Sequence, residues 1–139
     1  MLKTILSISG KPGLFKLISQ GKNILIVESL IDGKKMPSHA QDKAVSLADI
    51  AIFTDEEEVS LYTVFCSIKA KENGQKASIN PKSDNNTLRA YFAEILPNFD
   101  RERVYPSDIK KIITWYNILI DKGYSFDNEN TTEESNENI

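Results

Sequence analysis

The chain carries one cysteine and one histidine in 139 residues, and each scarcity removes a class of chemistry. Cys66 alone cannot form an intrachain disulfide, so no disulfide framework shapes the fold. With His39 the only other soft ligand, the three or four Cys and His side chains of a typical zinc site are not to hand. There is no apolar run of about 18 residues, so no membrane-spanning helix is expected. The opening Met1–Leu6 is interrupted by Ser, Gly and Pro too soon to be a secretory h-region, and the expected location is the cytoplasm, where a lone thiol stays reduced. The six glycines do not assemble a phosphate loop. Gly10-Lys11-Pro12-Gly13 lacks both the G-x-x-x-x-G-K spacing and a following helix, and reads as a turn.

What is present is an ordinary soluble composition, 40% hydrophobic and 27% charged, with a net charge of -3. That charge is uneven. Five of the acids (Asp127, Glu129, Glu133, Glu134 and Glu137) lie beyond Tyr124, where there is no Lys or Arg, and the body holds 17 basic and 15 acidic residues. A nearly neutral body neither demands nor excludes a polyanionic partner.

The strongest local signal is Gly13–Lys35. Leu14–Ser19 and Ile24–Leu30 are apolar runs parted by Gln20-Gly21-Lys22-Asn23 and closed by Asp32-Gly33, the pattern of an antiparallel meander. Leu2, Ile5, Leu6 and Ile8 supply a short apolar opener. Both faces of Ile24–Leu30 are partly apolar, as in the wall of a small barrel that also supports something outside it. Pro37 confines Lys34–His39 to an edge or a strand end. Residues 40–44 read as polar loop, Val45–Asp49 as a one-turn connector, and Ile50–Thr54 as the next strand. Short strands at this spacing predict a five-stranded antiparallel SH3-like β-barrel.

Past the acidic run Asp55–Glu58, periodicity changes. Leu61, Val64, Phe65 and Ile68 form one helical face, with acids ahead of it, Lys69 and Lys71 at its end, and Asn73-Gly74 as its stop. The acids are read as helix-dipole complements and solubilising charge. Polar Gln75–Asn86 reads as a linker. Asn85 or Asn86 caps a helix bearing Leu88, Tyr91, Phe92 and Ile95, which Pro97 ends. Ser107 and Asp108 are cap candidates for the last helix, whose stripe is Ile109, Ile112, Ile113, Tyr116, Leu119 and Ile120, closed by Lys122-Gly123. The expected class is α+β: a barrel domain with closing helix at 1–74, a linker at 75–86, a helical hairpin at 87–123 and a disordered acidic tail at 124–139.

Catalytic candidates are few. His39 lies beside Pro37 and Ser38 in a polar segment, and Cys66 next to Phe65 reads as a small buried hydrophobe. Arg101, Arg103, Tyr105, Lys110, Lys111 and Trp115 are the constellation of interest: cations with aromatics around a helix N-terminus, a place that attracts anions. Asp100, Glu102 and Asp108 are interleaved, so the competing reading pairs Arg101 or Arg103 with Asp108 and pins the loop to the helix.

The stretches L-x-x-I-L-S-I-S-G-K-P-G-L-F-K-L-I, I-V-E-S-L, I-A-I-F-T-D-E-E-E-V and R-V-Y-P-S-D-I-K-K-I-I-x-W-Y-N-I-L together resemble a family of uncharacterised Bacteroidetes proteins, domains of unknown function. The likeness covers Leu2 to about Lys122. It implies a compact N-terminal β domain followed by a smaller helical domain, and no activity or site residue. The expected role is a non-enzymatic cytoplasmic binding or adaptor module, without catalytic residues, cofactor or metal. Nucleic-acid binding through Arg101, Arg103, Lys110 and Lys111, with Tyr105 or Trp115 stacking, is the second reading. A small hydrolase or transferase using His39 is the third. Protein and nucleic acid are the partners this composition admits.

Overall fold

The two apolar runs around Gly21-Lys22-Asn23 become strands β2 (Phe15–Gly21) and β3 (Ile24–Ser29) in the computed structural model. It describes residues 2–8, 11, 13–39, 43–124 and 126. Asn23 takes a left-handed φ of 61° at the turn between them, a conformation its short polar side chain tolerates. With β1 (Ile5–Ile8), β4 (Lys35–His39) and β5 (Ala44–Ser46) they form a five-stranded sheet in the order β4-β3-β2-β1-β5, antiparallel throughout. The Asp-Gly turn after β3 is made as its residues suggest: Gly33 adopts φ 75°, and Asp32 Oδ1 accepts from Lys34 N–H at 3.0 Å.

The run Leu17-Ile18, which breaks the alternation of β2, is a β-bulge. Leu17 faces Val27 and Ser19 faces Ile26, leaving Ile18 without an opposite residue and 42% exposed. One extra residue shifts the face of everything after it, so Gln20 comes opposite Leu25. Leu25 belongs to the inner face, where Leu6, Ile8, Phe15 and Val27 form a buried cluster joined by Leu17, Leu25, Met36 and Ala44.

Ala44 of β5 lines one cavity with Ser38 and His39 of β4, which shows that the sheet is curled. β4 and β5 are its opposite edges. In a flat sheet four strand spacings of ~4.8 Å would part them by roughly 19 Å laterally, besides the offset along the strands. Only residues 40–43 join His39 to Ala44, and that connection reaches at most about 18 Å. Wrapping the sheet around its apolar face meets both constraints. No ladder pairs β4 with β5 among the described residues, so the observed architecture is a curled five-stranded antiparallel sheet with three helices. The fifth strand is also not the expected Ile50–Thr54. It is Ala44–Ser46, where one large apolar residue gives no periodic signal and pairing with β1 supplies the order. Ala51–Ile52 (β6) pairs instead with Val59–Ser60 (β7).

That second pairing lies in a different unit, because the chain divides after Ile50. From Ala51 onward come α1 (Leu61–Glu72), α2 (Asn85–Ile95) and α3 (Pro106–Asp121). The predicted stripes are buried: Leu61, Val64, Phe65 and Ile68; Leu88, Tyr91, Phe92 and Ile95; Ile109, Ile112, Ile113, Tyr116 and Leu119. Ser60 caps α1 by accepting from Thr63 N–H at 3.2 Å, and Asn73 ends it at φ 56°. Asp84, one residue before the expected Asn85, caps α2 through Thr87 N–H at 2.7 Å.

The sequence reading placed α1 with the sheet and put the boundary at 75–86. Packing puts α1 with α2 and α3: Phe65 meets Tyr116 at 6.4 Å between ring centroids. The 75–86 stretch is tied to these helices. Tyr116 O–H donates to Gln75 O at 2.6 Å, Asn117 Oδ1 accepts from Ala77 N–H at 2.8 Å, and Glu72 accepts from Ser78 N–H at 2.9 Å. The tail reading is corrected at two positions: Tyr124 N–H donates to Leu119 O at 3.0 Å, and Phe126, 3% exposed, packs on Phe65 at 5.2 Å and Tyr116 at 6.0 Å. Residues 127–139 lie outside the described residues.

Candidate functional site

Pro97 stops α2, and the chain then crosses residues 53–55. Thr54 bridges Phe99, Asp55 N–H donates to Asn98 O at 3.0 Å, and Asp100 N–H donates to Phe53 O at 2.9 Å. Phe99 is buried, edge-on to Phe92 at 5.0 Å. Asp100 then organises the turn. Its Oδ1 accepts from Glu102 N–H at 2.9 Å, its Oδ2 from Arg103 Nε at 2.8 Å, and its carbonyl from Val104 N–H at 2.8 Å. The Arg103 guanidinium bond, followed by the Glu102 amide, holds the Asp100 carboxyl below the usual carboxylate range.

Both arginines lie on aromatic rings. Arg101 Cζ is 4.3 Å from the Phe99 centroid, and its Nη1 donates to Phe99 O at 2.8 Å. Arg103 Cζ is 4.3 Å from the Phe53 centroid. Neither makes the expected pair with Asp108. That carboxylate accepts from Tyr105 N–H at 3.0 Å, making Tyr105 the N-cap and Pro106 the first helical residue. Asp108 sits at the third helical position, the reach-back place of a capping box, and Ser107 is inside the helix. A carboxylate already lies against the α3 N-terminus and Pro106 has no N–H, which leaves that helix end poorly suited to an external anion. The predicted residues all lie in the second unit: Arg101, Arg103, Tyr105, Lys110 and Lys111 are exposed and Trp115 is half-buried. Tyr105, the large hydrophobic among them, is 57% exposed.

Cys66 is half-buried, and its thiol donates to Phe126 O at 3.4 Å within the aromatic cluster. No group of three or more His, Cys, Asp or Glu that could hold a metal ion occurs among the described residues. Beside these sits a polar knot. Glu72 accepts from Ser78 and from the Tyr91 phenol at 2.5 Å. Burial works against the Glu72 charge, but bonds from Ser78 N–H, the Tyr91 phenol and the Ser78 hydroxyl hold its carboxyl low. Burial and then Glu72 push the Tyr91 phenol well up, and burial raises Tyr116 to about 12.

His39 ends β4 and is exposed. It lines a cavity of about 320 Å³ with Ser38, Gln20, Gly21, Asn23, Ile24, Leu25 and Ala44. Ser38 is 1% exposed, and its Oγ has no hydrogen-bond partner among the described residues. Adjacent strand residues point to opposite faces, so His39 is not placed as a base for the Ser38 hydroxyl. Sequence reasoning passed over Ser38 and Gln20; the signal was Leu17-Ile18, an apolar doublet that marks a bulge and puts the exposed Gln20 on the sheet face of Leu25.

Taken together, these features define a two-unit α+β protein with a curled antiparallel sheet and a three-helix unit. Two family models divide the chain as the packing does. Residues 2–47 match a domain of unknown function, DUF5606, and residues 50–119 match another, DUF6852. A solution NMR structure from Bacteroides vulgatus, a structural-genomics target, is 60% identical over 91% of each chain, with a TM-score of 0.76. The chain belongs to this Bacteroidetes family of paired domains of unknown function. No curated protein matches it.

Proposed function

We propose that this protein is a non-enzymatic binding module whose contact surface is the loop 98–105 with the start of α3. One observation carries the reading: Arg101, Arg103 and Tyr105 stand exposed on a single loop that hydrogen bonds and ring stacking hold in place. Tyr and Arg are the residues that dominate protein interfaces. A guanidinium already seated on a ring surrenders less freedom on binding than one waving in solvent. The partner that fits is a protein surface offering carboxylates to the arginines and an apolar recess to Tyr105. Asp100, Glu102 and Asp108 offset much of the positive charge, which favours such a partner over a nucleic-acid backbone. The sheet unit fits the same module as an SH3-like barrel left open between β4 and β5, a reading supported by the cavity that Ser38 and His39 line together with Ala44.

The test is affinity capture from a lysate of the source organism, with and without nuclease. The bait is the full chain, beside a variant carrying Arg101→Ala, Arg103→Ala and Tyr105→Ala. A protein retained after nuclease and lost with the variant supports the proposal. Capture that nuclease abolishes moves the assignment to nucleic acid, and equal capture by both baits removes this surface from consideration.

A further inference from the structure

In the second unit, residues 53–55 and 98–100 cross antiparallel through the Thr54–Phe99 bridge, with Asp55 N–H on Asn98 O and Asp100 N–H on Phe53 O. Because the crossing is antiparallel, the chain leaves it at opposite ends. From Asp55 it runs into Glu56, Glu57 and Glu58; from Asp100 it runs into Arg101 and Arg103. Carboxylates follow one end of the bridge and guanidinium groups the other. Both turns are held in place. Thr54 Oγ1 donates to Glu57 O at 2.5 Å and accepts from Glu56 N–H at 3.0 Å, and Asp100 fixes the arginine turn through Glu102 and Arg103.

Neither end spends its charge on the fold. The acids do not serve the α1 dipole as the sequence suggests: Ser60 is the N-cap, the first turn of α1 holds no acid, and the dipole's effect falls off within that turn. Glu56, Glu57 and Glu58 are exposed, and their carboxylates have no hydrogen bond or ion pair among the described residues. Arg101 is exposed as well. Its guanidinium bonds the carbonyls of Pro97 and Phe99, and no carboxylate answers it among the described residues. Three neighbouring like charges repel one another, and an opposite charge brought against them relieves that repulsion.

We propose that the acid turn and the arginine turn together form a salt-sensitive two-fold contact whose partner is a second copy of this chain. This names the partner of the loop surface proposed above and rests on that reading. A region acidic at one end and basic at the other is its own complement. A copy turned by 180° about an axis across the bridge sets its Glu56–Glu58 on Arg101 and, by the same operation, its Arg101 on Glu56–Glu58, the reciprocity an isologous dimer requires. The scale fits: Glu57 lies three residues from Thr54 and Arg101 two from Phe99, so chain reach keeps them within roughly 25 Å. A standard interface face of about 800 Å² is roughly 30 Å across. Exposed ion pairs contribute little each, so the dimer forms at high micromolar rather than nanomolar concentration, with the exposed Tyr105 adding apolar area.

The experiment is sedimentation equilibrium of the full chain. At about 20 mM salt, where screening acts over roughly 20 Å, the average mass should rise toward that of a dimer between about 10 μM and about 1 mM, and about 0.5 M salt should weaken association tenfold or more. One variant carries Glu56→Lys, Glu57→Lys and Glu58→Lys; another carries Arg101→Glu. Each alone should associate about tenfold more weakly or worse, and their equimolar mixture should recover the dimer, because both contacts again join opposite charges. The triple variant alters side chains that hold nothing in the fold. Should Arg101→Glu not fold by circular dichroism, Arg101→Gln keeps an amide donor for the Phe99 carbonyl and should weaken the dimer about tenfold. A monomer at every concentration in low salt, a dimer that the triple variant leaves unchanged, or two folded charge-reversed variants that stay monomeric when mixed overturns the proposal. A monomeric chain whose lysate capture still depends on Arg101, Arg103 and Tyr105 overturns only the second copy as partner and leaves the loop surface standing.

Discussion

Replacing Ser38 by alanine should make the protein more stable. Ser38 Oγ is buried and has no hydrogen-bond partner among the described residues. Leaving a hydroxyl in that state costs about 1–3 kcal/mol by mutational experience. Removing it forfeits the dispersion contacts of one atom, each about 0.1–0.2 kcal/mol. That atom is enclosed, so several such contacts are lost, and alanine's poorer fit to a strand subtracts a few tenths more. The balance is a gain of about 1 kcal/mol. Ser46 supplies the internal control, since its hydroxyl donates to Lys3 O at 2.9 Å and accepts from Ala48 N–H at 3.2 Å. Ser46→Ala removes the cap of the short 3-10 turn Leu47–Asp49 and should lose about 1 kcal/mol. Urea unfolding followed by circular dichroism reads both. At a slope of about 2 kcal/mol/M the two midpoints should move by roughly 0.5 M in opposite directions with unchanged slopes. A Ser38→Ala protein destabilised as much as Ser46→Ala would show that the Ser38 hydroxyl is bonded in solution, and the orphan argument would fail.

Three further outcomes follow from the packing. Phe126→Ala should destabilise the helical unit by about 3–5 kcal/mol, because Phe126 is 3% exposed against Phe65 and Tyr116; a loss below about 1 kcal/mol in denaturant unfolding would return this residue to the tail. Gly13→Ala and Gly33→Ala both place a side chain on left-handed backbone, at φ 82° and 75°, but only the first meets an obstacle, with its Cβ falling 2.4 Å from Ile31 Cδ1. Each should lose about 1 kcal/mol. A similar loss at both means the exposed Ile31 end swings aside, and a much larger loss at Gly13 means it is held. Above pH 10 stability should fall. Tyr91 and Tyr116 both titrate higher in the fold than their ordinary 10.0, so the unfolded chain ionises first. Their contribution is complete below pH 10 and is lost as pH rises toward 12 and beyond. Unfolding midpoints measured from pH 8 to 11 check this, and Tyr91→Phe should flatten the decline.

The helices were legible because burial and periodicity coincide there. All four expected apolar positions of α1, all four of α2 and five of the six on α3 are buried. Strands β2 and β3 announced themselves through Gly21-Lys22-Asn23 and Asp32-Gly33, where backbone geometry selects the residue type. What was not legible depends on distant partners. Ala44–Ser46 becomes a strand because β1 has an open edge, and nothing in three small residues declares it. Residues 75–83 look like a linker by composition, yet Glu72, Tyr116 and Asn117 satisfy their backbone and hold them. The partners of the arginines turned on the caps: once Asp108 bonds Tyr105 N–H, Asp100 is left as the carboxylate for Arg103.

That contrast supplies a criterion for separating scaffold from site in this family. Arg103, Asp100 and Asp108 are explained by the fold they stabilise: each makes a bond that a loop or helix end needs, and each would be retained if the surface bound nothing. Ser38 is different. Its neighbours on the inner face, Leu25 and Met36, show that an apolar side chain is accommodated there, and folding alone would favour one at position 38. A polar group kept where an apolar one would serve the fold better is a cost with no structural return. Among the described residues Ser38 Oγ is the buried side-chain polar atom without a partner, and position 38 is therefore where the chain departs from what its own stability asks.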